Sequence, residues 1–106
     1  MTGKRRLKVL ANYLLSGAVD DEKFDMGDWA HCAIGEGANL PSLEKDGLAL
    51  VENNDGDLAP EYNGSRAYEA CAEFFAIPYD KARAFFGPTK RSAARVGRQL
   101  LRYLIE

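Results

Sequence analysis

The chain's single histidine, His31, stands immediately before Cys32, one of its two cysteines. A thiol beside an imidazole makes a thiolate nucleophile when the ring nitrogen reaches the sulfur. On a helix, adjacent residues diverge by about 100° at 3.6 residues per turn, so a Cys32–His31 dyad requires the backbone to leave the helix there. Asp28, His31 and Cys32 fall at i, i+3 and i+4, three metal-ligating types on one helix side. Zinc would need further ligands from Cys71 or a carboxylate, because no second histidine exists. The ordinary roles are expected for both residues: a buried free thiol for Cys32, and a hydrogen bond to backbone or to Asp28 for His31. Cys71, between Ala70 and Phe74, reads as core.

Other chemistries lack their residues. No G-x-S-x-G occurs. Gly35 and Gly37 open a dinucleotide fingerprint that Leu40 breaks at the third glycine position; small residues there suit close approach of another helix. A calcium loop beginning at Asn53 would put Leu58 where glycine is needed and Gly64 where the bidentate glutamate belongs, so Asn53–Asp57 reads as a hairpin turn.

Charge is distributed unevenly. Residues 1–19 hold four basic and no acidic side chains, residues 20–80 hold 15 acidic and three basic, and residues 81–106 hold seven basic and one acidic, for a net charge of −2. Arg91, Arg95, Arg98 and Arg102 form a row that, with Lys90, could track phosphates. The row also suits a protein partner of complementary charge, since arginine pairs bidentately and stacks on aromatic rings. In a chain this short, some of the 15 central carboxylates are expected beside these arginines, leaving a solvated or internally paired face as the plainest reading.

These residues need a frame. With 106 residues the chain suits one domain, residues 1–106, without a disulfide staple. Two cysteines 39 positions apart suit reduced, buried thiols, and no signal peptide or membrane span is indicated, so a cytoplasmic protein is expected. Leu7, Leu10, Ala11 and Leu14 predict a first helix over residues 4–16, ended by Gly17. Met26, Trp29, Ala30, Ala33, Ile34 and Gly37 have the spacing of a core-facing stripe, predicting a central helix over Phe24–Ala38 with Asp25 as N-cap. A short helical turn is expected over Ser42–Lys45. Residues 48–52 and 58–62 predict a two-stranded hairpin with an open edge at Pro60, which must lie against helices. Ala67, Ala70, Cys71, Phe74 and Phe75 line a further helix. Pro78 starts a short one that ends at Gly87, and a last helix begins near Thr89 or Ser92 with Ala93, Val96, Gly97, Leu100, Leu101 and Leu104 on its apolar side.

The run Phe24-Asp25-Met26, Trp29, Cys32-Ala33-Ile34-Gly35 and Ala38 resembles a family of small bacterial and phage proteins that carry F-D-M-x-x-W followed by a C-x-x-G segment. Gly47-Leu48, Tyr62-Asn63-Gly64, Ala72-x-Phe74-Phe75-x-Ile77 and Ala82–Phe86 with Gly87 resemble its later segments, so the likeness covers roughly residues 7–105. Those proteins place Cys-Gly-Thr ahead of the cysteine segment, where this chain has Trp29-Ala30-His31. The resemblance thus implies no two-cysteine chemistry here, and it brings no activity with it.

The expectation is an α+β, mostly α fold: a bundle of four to five helices with one inserted hairpin. The expected function is a small non-catalytic protein-binding or regulatory module without cofactor or metal, and a phage-encoded inhibitor of a host system fits a small acidic binder of this type. Its candidate partner-binding residues are the row Arg91, Arg95, Arg98 and Arg102 and the acidic hairpin edge Asp55, Asp57 and Glu61. The alternatives are a thiol-dependent enzyme centred on Cys32 with His31, and a nucleic-acid binder using the C-terminal helix.

Overall fold

A computed structural model describes the whole chain, Met1–Glu106. The first helix, α1 (Gly3–Leu15), starts where the Thr2 hydroxyl accepts the Arg5 N–H at 3.1 Å, and Leu7, Leu10, Ala11 and Leu14 are buried along one face. Gly17 follows at φ +86°, a conformation that carries no steric penalty only without a Cβ. The last helix, α6 (Ala93–Ile105), is capped by Ser92, whose hydroxyl accepts the Arg95 N–H, and it buries Ala93, Val96, Gly97 and Leu100. Each such cap is worth about 1 kcal/mol.

These two helices pack against each other antiparallel. Gly97 lies against Ala11, Leu14 and Leu15 near the C-terminal end of α1, while the other end of α6, at Leu104 and Ile105, shares a groove with Thr2 and Lys4. A Cβ at Gly97 would stand 2.9 Å from the Ala11 carbonyl oxygen and 2.9 Å from Leu15 Cγ, closer than side chains tolerate. The crossing therefore depends on glycine.

The centre is filled from α4 (Ala67–Phe75), which buries Ala70, Cys71, Phe74 and Phe75, and from α5 (Tyr79–Phe86), which buries Ala82 and Phe86. The rings of Phe75 and Phe86 stack at 5.6 Å, with Phe74 edge-on to Phe75 at 5.0 Å. Burying each such ring contributes roughly 1.5–3 kcal/mol. Ala76, at φ 53°, turns the chain out of α4 toward Ile77 and Pro78.

Strands β1 (Ala49–Glu52), β2 (Leu58–Tyr62) and β3 (Ser65–Arg66) form an antiparallel sheet in that order, with Leu50 opposite Pro60 and Tyr62 opposite Ser65. The expected hairpin thus gains a third strand, made by the tight Asn63-Gly64 turn. That strand pairs only with Glu61 and Tyr62, so Pro60 keeps one unpaired edge even in the middle strand. The sheet lies against α4.

The central helix is the main correction. Only Ala33–Ala38 is helical (α2), followed by α3 (Pro41–Lys45), so the helices number six and two of them are short. Residues 24–32 are a chain of turns. Asp25 Oδ1 accepts the Gly27 N–H at 2.8 Å and Asp28 Oδ1 accepts the Ala30 N–H at 3.0 Å. The second bond takes a backbone donor that a helix would have paired with the Met26 carbonyl, with Gly27 adding its own cost. Asp25 builds a turn and caps no helix. The apolar spacing still marked burial: Met26, Ala33, Ile34 and Gly37 are buried, and Trp29 and Ala30 are half-buried. Gly37 faces Leu10 of α1, as close helix approach requires, whereas the space at Gly35 is closed by the Trp29 and Ala30 carbonyls of the preceding turns.

Arg6 ties α1 to the rest. Its Nε donates to Asp46 Oδ2 at 3.1 Å, its Nη1 donates to the Phe74 carbonyl at 2.9 Å, and its guanidinium lies 4.5 Å from the Phe74 ring centre. Burial alone would lower the Arg6 pKa, but hydrogen bonds to Asp46 and Tyr62 outweigh it and hold it above its ordinary value. The same hydrogen bond to Arg6 lowers the Asp46 carboxyl.

Two outcomes are expected. Gly97→Val lowers the unfolding free energy in urea by about 1–3 kcal/mol through overpacking at the crossing. Asp46 contributes stability above its unfolded value of 3.8 and loses it as pH falls below that. Thermal melts of Asp46→Asn between pH 5 and pH 2 are therefore expected to fall less steeply than those of the unaltered protein.

Candidate functional site

The turns at residues 24–32 meet the geometric requirement for a Cys32–His31 pair, yet the two side chains part. His31 is exposed, and its Nδ1–H donates to Asp28 Oδ2 at 2.7 Å. Cys32 is buried, and its thiol donates to the Trp29 carbonyl at 3.5 Å. Burial pushes the Cys32 thiol above its ordinary value, against the backbone hydrogen bonds of Gly35 and Ile34, and burial raises Cys71 as well. Both cysteines are free thiols. Cys32 is thus held protonated, out of reach of both base and substrate. The hydrogen bond from His31, then that from the Ala30 N–H, keep the Asp28 carboxyl below its usual range. Asp28, His31 and Cys32 do not converge, and no three His, Cys, Asp or Glu side chains gather as a ligand set.

The arginine row divides in two. Arg91 precedes α6 and folds inward: it donates to the Phe85 carbonyl at 2.8 Å, to the Gly87 carbonyl at 3.3 Å, and to Thr89 and Gln99. Burial, then the charge of Arg95, lower its pKa. Arg91 is a clamp between the end of α5 and the start of α6 and is not part of a free surface. Arg95, Arg98 and Arg102 are exposed on α6 and, with Gln99, line a hollow of about 620 Å³. The expected carboxylates are not beside them: the one ion pair of this set is Arg102 with Glu106, at 4.0 Å.

The acidic hairpin edge is also reduced. Glu61 accepts from Arg66 Nε at 3.2 Å across the β2–β3 pair. Asp55 Oδ1 accepts the Asp57 N–H at 3.1 Å, and with Gly56 at φ +87° these residues close the β1–β2 turn. Asp55 and Asp57 stay exposed at its tip.

What sequence reasoning missed is the second wall of the basic face. Because α1 and α6 are antiparallel neighbours, Lys4, Arg5 and Lys8 of α1 come to face Arg98 and Arg102 across a groove of about 890 Å³. Leu101, Leu104 and Ile105 line the same groove, and Ile105 is 86% exposed. Lys4, Arg5, Lys8, Arg95 and Arg98 have no carboxylate partner. The basic character of both chain ends was visible in the sequence, but their meeting depends on the helix crossing at Gly97.

The cations are also badly placed for helix stability. Lys4 and Arg5 occupy the first turn of α1 and Arg95 the first turn of α6, and neither turn holds an acidic residue. A positive charge at a helix N-terminus opposes the macrodipole by about 0.3–1 kcal/mol at low salt.

Comparison with protein-family models, with curated proteins and with solved structures finds no match to this chain.

The thiol geometry predicts slow chemistry. In native protein at pH 8, iodoacetamide is expected to label Cys32 at least a hundredfold more slowly than a free thiol, with both cysteines labelled promptly in denaturant; mass spectrometry of the alkylated peptides reads the two rates. Labelling of native Cys32 faster than a free thiol would restore the enzyme reading.

Proposed function

We propose that this protein is a small non-catalytic binding module whose working surface is the α1/α6 face, and that its partner is an acidic protein. The observation that carries this reading is the set of Lys4, Arg5, Lys8, Arg95 and Arg98: five cations gathered from both ends of the chain onto two adjacent helices, none paired internally. Unpaired arginines next to the exposed Ile105 and the half-buried Leu101 and Leu104 have the composition of a protein-binding patch. Electrostatic complementarity over such a patch speeds encounter and selects partners of opposite sign.

The cytoplasm suits this role, since the two thiols are free and 39 positions apart. No helix is long and apolar enough to cross a membrane. A phage-encoded inhibitor that occupies a host protein is one form such a module takes, in keeping with the F-D-M-x-x-W and C-x-x-G resemblance to small bacterial and phage proteins.

Nucleic acid is the competing polyanion, and the test sets the two side by side. Labelled poly-glutamate and a labelled DNA duplex are titrated with the protein by fluorescence anisotropy at 150 mM salt. Poly-glutamate is expected to bind, to weaken as salt rises, and to lose at least tenfold in affinity with Arg95→Glu plus Arg98→Glu, while the duplex binds no tighter. A duplex bound tenfold more tightly than poly-glutamate, with the linear salt dependence of phosphate contacts, would move the face to nucleic acid.

A further inference from the structure

The groove between α1 and α6 carries more information than its charge, and we infer that its occupant is an amphipathic α-helix with acidic residues along both borders of an apolar stripe. This inference rests on the protein-binding reading and specifies the partner's chemistry.

Three features of the groove lead there. Its lining is apolar at Leu101, Leu104 and Ile105 and basic at Lys4, Arg5 and Lys8 of α1 and at Arg98 and Arg102 of α6. At about 100° per residue, Leu101 and Ile105 fall between Gly97, which faces α1, and the Arg98/Arg102 row. A complementary ligand is therefore apolar in the middle and acidic on each flank. Both walls are helices: apart from free N–H groups in the first turn of α1 and free C=O groups in the last turn of α6, they offer no row of backbone donors and acceptors such as an open strand edge supplies. A peptide desolvated there must satisfy its own N–H and C=O groups, which a helix does and an extended segment does not. Lys4 and Lys8, like Arg98 and Arg102, are four positions apart, about 6 Å of helix rise, roughly one turn of a helix lying alongside. Carboxylates at i and i+4 on each border meet these pairs, while apolar residues at i, i+3, i+4 and i+7 cover the apolar lining.

The other occupants fit less well. Single-stranded nucleic acid binds by stacking bases on aromatic rings, and no aromatic side chain lines this groove. Phosphates have no use for the exposed Ile105. A second copy of this chain lacks the complementary helix: α1 and α6 hold no acidic residue, and the apolar face of α4, whose Glu69 and Glu73 are exposed, is buried in the core.

The test uses a labelled peptide of about four turns, with leucines at helical spacing flanked by glutamates, against a peptide of identical composition in scrambled order. Anisotropy at 150 mM salt is expected to show the amphipathic peptide binding at least tenfold more tightly, with a gain of helical circular dichroism on binding. Ile105→Ser is expected to weaken it threefold or more without affecting the scrambled peptide, and Arg98→Glu with Arg102→Glu to weaken both. All three side chains are exposed, so the variants keep the fold, which circular dichroism of the free proteins verifies. Equal binding of the two peptides overturns the helical occupant and leaves the acidic-protein reading standing. Binding of neither peptide and of no poly-glutamate overturns both.

Discussion

The contact between Gly97 and the Ala11–Leu15 end of α1 is the constraint on which the rest of the molecule depends. Without a Cβ at that position, α6 sits close enough for Val96 and Leu100 to join Leu7, Leu10 and Leu14 in one core. An antiparallel pair also brings the beginning of the chain beside its end. The two basic segments of the sequence, 60 or more residues apart, become one surface by packing alone.

The acidic middle of the chain is kept elsewhere by the same architecture. The sheet with its Asp55–Asp57 turn rests on α4, and Arg6 is the only α1 cation drawn inward, held by Asp46, Tyr62 and the Phe74 carbonyl. One arginine of α1 thus serves cohesion while Lys4, Arg5 and Lys8 on the same helix remain exposed. Arg91 repeats the division for α6: it spends its donors on the Phe85 and Gly87 carbonyls, and Arg95, Arg98 and Arg102 stay outside. Each helix is served by one structural arginine, Arg6 within α1 and Arg91 just ahead of α6, and carries a separate solvent-facing set.

Much of this frame was legible in the sequence because it is local. Leu7, Leu10, Ala11 and Leu14 have one helical face whatever surrounds them, and the run from Ala70 to Phe75 likewise; the Ser92 cap follows from residue type. Residues 24–32 misled because apolar spacing reports burial and not backbone conformation. Met26 and Ile34 are buried as their spacing implied, but Asp25 and Asp28 turned the backbone between them through their own side-chain bonds. Strand β3 was missed because two residues carry no alternation to read. Arg91 was grouped with the row by extending helical spacing to a residue that precedes the helix. The second wall of the groove was out of reach for a different reason: no local pattern in residues 4–8 states which helix they will face.

The placement of the cations is what favours the proposed binding surface over a merely solvated face. A solvated face gains from charges set to match the helix dipole, acidic at the N-terminus and basic at the C-terminus. Lys4, Arg5 and Arg95 are set the wrong way round, and a protein with 16 carboxylates leaves five of its cations unpaired on one side. Screening at physiological salt, with a Debye length of about 8 Å, keeps the resulting repulsion small enough for the buried phenylalanines and leucines to outweigh it. Local rules broken without an internal gain are characteristic of functional sites, and here they are broken together along one groove whose lining also leaves isoleucine in water. An acidic helix laid in that groove would cover the isoleucine and neutralise the misplaced charges in a single contact.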